Sequence, residues 1–112
     1  MEDGREIIDQ TYKTIKGISE TLDDRKENYA EAKFLTLRKE VDESLNWAKK
    51  CRNKVWLRSK EGTDLAQGCL DVANVFRSML DNNETISDES YTLLMKLENL
   101  AKIIATKASV MT

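Results

Sequence analysis

The chain has 112 residues, of which 40% are hydrophobic and 34% are charged, and its formal net charge is −2. This length and balance predict a single helical domain, residues 1–112, with a core of its own, and they exclude a disordered chain. Proline and histidine are absent and glycine occurs four times. Long helices are therefore favoured over strands, and the commonest general base and metal ligand is missing. No apolar run approaches the roughly 18 to 20 residues that cross a bilayer.

The first predicted helix covers about residues 3–22. Ile8, Ile15 and Leu22 recur every seven residues along it. This spacing puts them in one apolar stripe on a helix, which predicts that this face is buried.

The second predicted helix is the longest and covers about residues 25–59. Asp24 and Glu27 stand at the spacing of a capping box, which favours a helix start there, although a helix continuous with the first is the alternative. Apolar residues then follow at heptad spacing as far as Val55. At about 1.5 Å per residue, such a helix is roughly 52 Å long and overshoots its partners by about four turns. Either it breaks near residues 51–53, or its end projects towards another copy or another protein.

The third predicted helix runs from Thr63 or Asp64, either of which suits an N-cap, to about Leu80. The fourth begins after Ser87, and its apolar stripe is broader than one partner face needs. That stripe includes Leu93, Leu94, Leu97, Leu100, Ala101, Ile103, Ile104, Ala108, Val110 and Met111. Four amphipathic helices with short connections predict an all-α fold, a four-helix antiparallel bundle with one overlong second helix.

The segment 47–60 is basic and aromatic. It contains six cationic residues and both tryptophans, and no acid occurs from Ser44 to Lys60. The next segment, 61–90, has seven acids and one base. A solvated helix end would explain part of this pattern, but six bases without an interspersed acid favour a binding surface. The predicted partner-binding residues are Trp47, Lys50, Arg52, Lys54, Trp56, Arg58 and Lys60.

The predicted function is that of a non-enzymatic helical interaction protein, of adaptor, immunity or inhibitor type. We expect it to bind another protein and also itself, because a basic segment is followed by an acidic one. Exposed tryptophans would be binding anchors, whereas buried ones would close one end of the bundle. Charge reversal at Arg52 and Arg58 is expected to weaken binding and to leave thermal stability nearly unchanged.

Catalysis, cofactors and metals are not expected. The chain has no glycine-rich phosphate loop, and Cys51 and Cys69 lack a candidate base and the spacing of a metal site. We interpret them as reduced thiols of a cytoplasmic protein.

Three alternatives to a protein partner are a small anion of nucleotide type, nucleic acid and a membrane surface. The amides near Gly62 could bind a small anion at the start of the third helix. The segment 63–74 resembles, over about a dozen residues, the helical hairpin of phage proteins that sequester cyclic-nucleotide defence signals, which implies a nucleotide-type ligand. The basic segment with its tryptophans would also suit nucleic acid, but a pI near 5.3 argues against that partner. A membrane surface is disfavoured because the apolar face around residues 49–60 is narrow.

Overall fold

The computed structural model describes residues 3–52, 54–82 and 88–111, apart from the side chains of residues 88–90 and 108–111. Its four helices are α1 (Gly4–Asp24), α2 (Glu31–Cys51), α3 (Lys60–Asn82) and α4 (Asp88–Met111). Short 3-10 segments at Lys26–Asn28 and Val55–Arg58 lie in the first two connections. The helices pack against one another as an all-α four-helix bundle, which confirms the predicted fold class.

Consecutive helices alternate in direction. Arg52, just after α2, pairs with Asp9 near the start of α1, so α1 and α2 are antiparallel. Lys107, late in α4, pairs with Glu61 in the first turn of α3, so these two helices are antiparallel as well. The predicted antiparallel order of consecutive helices is therefore confirmed.

The helices that are neighbours in space are not always consecutive in the chain. α1 packs on α2 and on α3, and α4 packs on the same two helices. Gly4 lies against Thr63 and Gly17 lies against Arg77, so α1 and α3 are parallel neighbours. Consecutive helices α2 and α3 thus occupy diagonal corners. The connection between them, residues 52–59, has to cross the end of the bundle, and we call it the crossover.

α2 begins later than residue 25, where the sequence predicted its start. The backbone amide of Arg25 bonds to the carbonyls of Thr21 and Leu22, which continues α1 to its end at Asp24. The Arg25 guanidinium donates to the carbonyl of Leu80 near the end of α3. The predicted capping box is therefore wrong: that segment ends α1, and α2 starts at Glu31.

α2 also ends earlier, at Cys51, where the amide of Lys54 bonds to the Cys51 carbonyl at 3.1 Å. A continuous helix of roughly 52 Å would exceed the 43 Å length of the whole molecule. The predicted overlong second helix is therefore wrong, and the alternative, a break near residues 51–53, is what the structure shows. Asn53 itself lies outside the described residues. The turn keeps all four helices at similar lengths, and it leaves Val55 64% exposed although the heptad pattern would bury it.

α3 begins at Lys60, which makes the predicted caps Thr63 and Asp64 wrong. Ser59 caps it instead: its hydroxyl accepts from the amide of Gly62 at 3.1 Å, and its carbonyl accepts from the amide of Thr63. A hydroxyl that bonds to the third helical amide is the usual N-cap arrangement.

The predicted stripes form the core where side chains are described. Ile8, Ile15 and Leu22 are at most 1% exposed, while Ile103 of α4 is 43% exposed. Ser87, after which the fourth helix was predicted to begin, and the side chains of the stripe residues beyond Lys107 lie outside the described part of the chain. None of the helices in the described ranges has both the length and the apolar character needed to cross a membrane.

Candidate protein-binding surface at the crossover

The crossover has an inner and an outer side. Leu57 is fully buried and Trp56 is 9% exposed, whereas Val55 is 64% exposed and Arg58 is also on the surface. A 3-10 segment has three residues per turn, so residues 55 and 58 share the outward side. Trp56 and Leu57, between them, face the core. The sequence left open whether Trp56 is an exposed binding anchor, and the structure shows that it is buried. It closes one end of the bundle.

Two close approaches hold the crossover in place. The Thr63 hydroxyl donates to the Leu57 carbonyl at 3.1 Å and accepts from the amide of Gly4 at 3.1 Å. A Cβ on Gly4 would collide with the Leu57 carbonyl oxygen, and one on Gly62 would lie 2.5 Å from the carbonyl oxygen of Trp56. The starts of α1 and α3 can therefore reach the crossover because both positions lack a side chain.

The two arginines of the predicted site point back to α1. Nη2 of Arg52 lies 2.6 Å from Oδ1 of Asp9, and its guanidinium stacks 4.5 Å from the centre of the Tyr12 ring. Hydrogen bonds from Lys13 and then from Arg52 lower the pKa of Asp9. Arg58 is 3.7 Å from Asp3, with most of its side chain in solvent. Arg52 thus contributes to the fold, and Arg58 does so only weakly.

The remaining cations form an exposed surface around the crossover. Lys49, Lys50, Arg58 and Lys60 are exposed and Lys54 is half-buried. Nζ of Lys50 lies 4.9 Å from the ring centre of the half-buried Trp47. We call this surface the basic face, and it consists of Trp47, Lys49, Lys50, Lys54, Val55, Arg58 and Lys60. It retains five of the seven predicted partner-binding residues, because Trp56 is buried and Arg52 is paired with Asp9 of α1.

The acidic segment forms a second surface along α3. Its described acids, Glu61, Asp64, Asp71 and Asp81, are all exposed. Glu61 is paired with Lys107 of α4. The other acids of the run (Glu84, Asp88 and Glu89) lie outside the described side chains. One molecule therefore carries exposed charges of both signs, and Lys60 of the basic face lines the same hollow as Glu61 and Asp64.

The start of α3 is closed to a small anion in this arrangement. Gly62 is buried, and its amide is bonded to the Ser59 hydroxyl. An anion at a helix N-terminus needs free amides that point at it. The geometry therefore gives the predicted anion pocket little support.

A second polar cluster, which the sequence analysis missed, lies between α2 and α4. One carboxylate oxygen each of Glu40, Glu43 and Glu98 lies within 4.8 Å of the others. Glu98 is 2% exposed, and Lys102 pairs with it at 2.9 Å. Glu98 stands one turn from Leu94 in the apolar stripe of α4. An acid within an apolar stripe is the sequence signal that could have revealed this cluster.

The two cysteines have the character of core residues. Both are free and buried. Burial raises the pKa of Cys51 to about 11 and that of Cys69 to about 12. Since the thiolate is the nucleophile and the metal ligand, neither thiol is reactive near neutral pH.

The residues that fix the crossover were also missed: Leu57, Gly4, Gly62 and Thr63. Serine is a residue type that helix N-caps favour, so Ser59 could have predicted the start of α3 correctly.

Comparisons of the chain with protein-family models, curated proteins and solved structures find no match. Function is therefore inferred from the residues themselves.

Proposed function

We propose that this chain is a non-enzymatic helical interaction protein, of adaptor, immunity or inhibitor type, that binds acidic protein surfaces through its basic face and self-associates. The observation that carries the proposal is the basic face itself. It combines cations, most of them exposed, with an exposed valine and a half-buried tryptophan, and the buried Trp56 and Leu57 lie on the inner side of the same connection.

The fixed backbone favours binding. Leu57 and Trp56 hold the crossover from inside, and Thr63 bonds to it. A surface that is already ordered loses less conformational entropy when a partner docks. Exposed cations add long-range attraction to an acidic partner and thereby raise the association rate.

Self-association follows from the charge of the two surfaces. The basic face of one copy complements the exposed acids along α3 of another copy, chiefly Asp64, Asp71 and Asp81, since Glu61 already pairs with Lys107. The exposed Ile103 and the half-buried Leu65 beside this acidic surface add apolar area for burial. Contacts between two different surfaces produce rings or open chains of subunits, according to whether the rotation closes.

The test is sedimentation velocity at tens of micromolar protein and low salt. The wild type should form dimers or larger assemblies, and roughly 1 M salt, where the Debye length is about 3 Å, should dissociate them. The double variant K50E/K60E should weaken the assembly by about tenfold or more, because it reverses two charges of the basic face.

K16E/K33E is the matched control, since it changes the net charge equally at two exposed lysines outside the basic face. A wild type that stays monomeric, or equal weakening by both double variants, would contradict the proposal.

A cytoplasmic location is part of the proposal, and the free thiols of Cys51 and Cys69 support it. Binding of a small anionic nucleotide has less support, because the amide of Gly62 is already bonded to Ser59. The non-catalytic assignment is supported by the raised pKa values of both cysteines and by the absence of histidine from the sequence.

A further inference from the structure

The carboxyl cluster lies between α2 and α4, with Glu98 buried and with Glu40 and Glu43 half-buried. Glu40 and Glu43 lie one turn apart on α2, and a carboxylate oxygen of each is within 4.8 Å of one on Glu98 of α4. Glu98 is 2% exposed. Oε2 of Glu40 is buried and has no hydrogen-bond donor among the described residues. A buried carboxylate oxygen without a donor is costly unless a proton is present.

The charges around the cluster do not balance. Lys102 of α4 pairs with Glu98 at 2.9 Å. The charge of Lys39 on α2 favours the ionised form of Glu40, but it is the smallest of the influences on that carboxyl. Lys102 thereby compensates one carboxylate of the cluster, while Glu40 and Glu43 stay close to it. Two carboxylates that share a site cannot both ionise easily, so one of them retains its proton. Oε2 of Glu40 is the buried oxygen that no donor reaches. If the shared proton is on the Glu40 carboxyl, that carboxyl can donate a hydrogen bond to Glu98.

We propose that Glu40 carries this proton and donates it to Glu98, so that the pair is a pH-sensitive latch between α2 and α4. With the proton present, an O–H···O hydrogen bond joins the two helices. When Glu40 loses the proton, two carboxylates oppose each other across the same interface. Alkaline conditions therefore weaken the packing of α2 on α4.

The direction of the titration agrees with this geometry. The hydrogen bond with Glu98 and then burial raise the pKa of Glu40 to about 7. The same hydrogen bond lowers the pKa of Glu98. A raised pKa means that the proton on Glu40 stabilises the folded state fully below the ordinary value of 4.5. This contribution is lost as the pH rises through about 7.

Two experiments on the full chain test the latch. Carbon-detected NMR of the wild type should show the side-chain carboxyl of Glu40 titrating near 7, and E98Q should move its midpoint down towards 4.5 because the opposing charge is gone. Denaturant unfolding should give the second result. Between about pH 5 and pH 8, the unfolding equilibrium constant of the wild type should rise by about one to two orders of magnitude more than that of E40Q.

E40Q keeps a donor to Glu98 but cannot ionise, and E20Q, at an exposed position of α1, is the control that should follow the wild type. A Glu40 midpoint near 4.5 in the wild type would overturn the proposal, as would identical pH profiles for E40Q and the wild type. A midpoint that millimolar Mg²⁺ or Ca²⁺ displaces downward would also overturn it, since a cation would then replace the proton. The midpoint measured by NMR in the wild type does not depend on any variant being folded.

Discussion

The first two connections of the bundle are alike in construction and different in burial. Each contains a short 3-10 segment, and each has an arginine that reaches a neighbouring helix: Arg25 bonds to α3, and Arg52 pairs with α1. The first connection is exposed over residues 26–28. The crossover instead buries Trp56 and Leu57.

The difference comes from which helices are joined. α1 and α2 are neighbours, so their connection stays at the edge of the bundle. α2 and α3 are diagonal, so the crossover lies over the end of the core and closes it. A connection over a core end needs apolar side chains on its inner side, which leaves its cations for the outer side. The basic face is thus a consequence of the topology as well as a candidate for binding.

The largest expected effect is at the buried side of the crossover. Because Leu57 is fully buried, L57A should lower the free energy of unfolding by about 3 kcal/mol, through lost burial and the cavity that remains. N28A, in the exposed first connection, should change it by less than about 0.5 kcal/mol. Urea unfolding measures both. Similar losses for the two variants would show that the crossover is no more part of the core than the first connection.

The next effect concerns the close approach of α3 to the crossover. G62A should cost about 2 kcal/mol, because the added Cβ meets the backbone of Trp56 and Leu57, which cannot move aside. G68A is the control in the same helix. Its Cβ would be 3.8 Å from the nearest atom, of Leu100, so the better helix propensity of alanine should stabilise the protein by about 0.5 to 1 kcal/mol. Thermal unfolding that moves both variants in one direction would contradict the described contact.

The smallest effect is at Arg52. R52A should lower the free energy of unfolding by about 1 kcal/mol, through the lost pair with Asp9 and the lost contact with Tyr12. This revises the expectation that a change at this position leaves stability unaltered. K49A, at an exposed lysine outside these contacts, should have no measurable effect.

The pH dependence of the R52A deficit sharpens this test. Since the pKa of Asp9 is lowered, its contribution is present above the ordinary value of 3.8 and is lost as the pH falls through the folded value. The deficit should therefore shrink in acid. A deficit that persists unchanged in acid would assign it to packing on Tyr12 alone.

The sequence predicted the local features of this fold well. Ile8, Ile15 and Leu22 repeat at heptad spacing and are buried, because helical periodicity depends on near neighbours in the chain. The end of α2 could not be predicted in the same way, since the heptad pattern continues to Val55. Beyond that end the Leu57 carbonyl lies against Gly4 and accepts from Thr63, and these residues meet it only once α1 and α3 are side by side.

The candidate site divides along the same line. The basic composition of the segment was visible in the sequence, and five of the seven predicted residues belong to the basic face. That Arg52 pairs with α1 and that Trp56 is buried depend on the positions of α1 and of the core end, which composition does not report.

The parallel packing of α1 and α3 also has a consequence for how the chain folds. Gly4 and Thr63 touch although 59 positions separate them, so an interface of the bundle joins distant parts of the chain. Helical hairpins between consecutive helices form from short-range contacts and are fast, whereas distant contacts require the closure of a long loop first. A hairpin of α1 and α2 alone would leave the α3-facing side of α1 in water. We expect assembly of the four helices to be a single cooperative step, and slower than in a bundle whose consecutive helices are all neighbours.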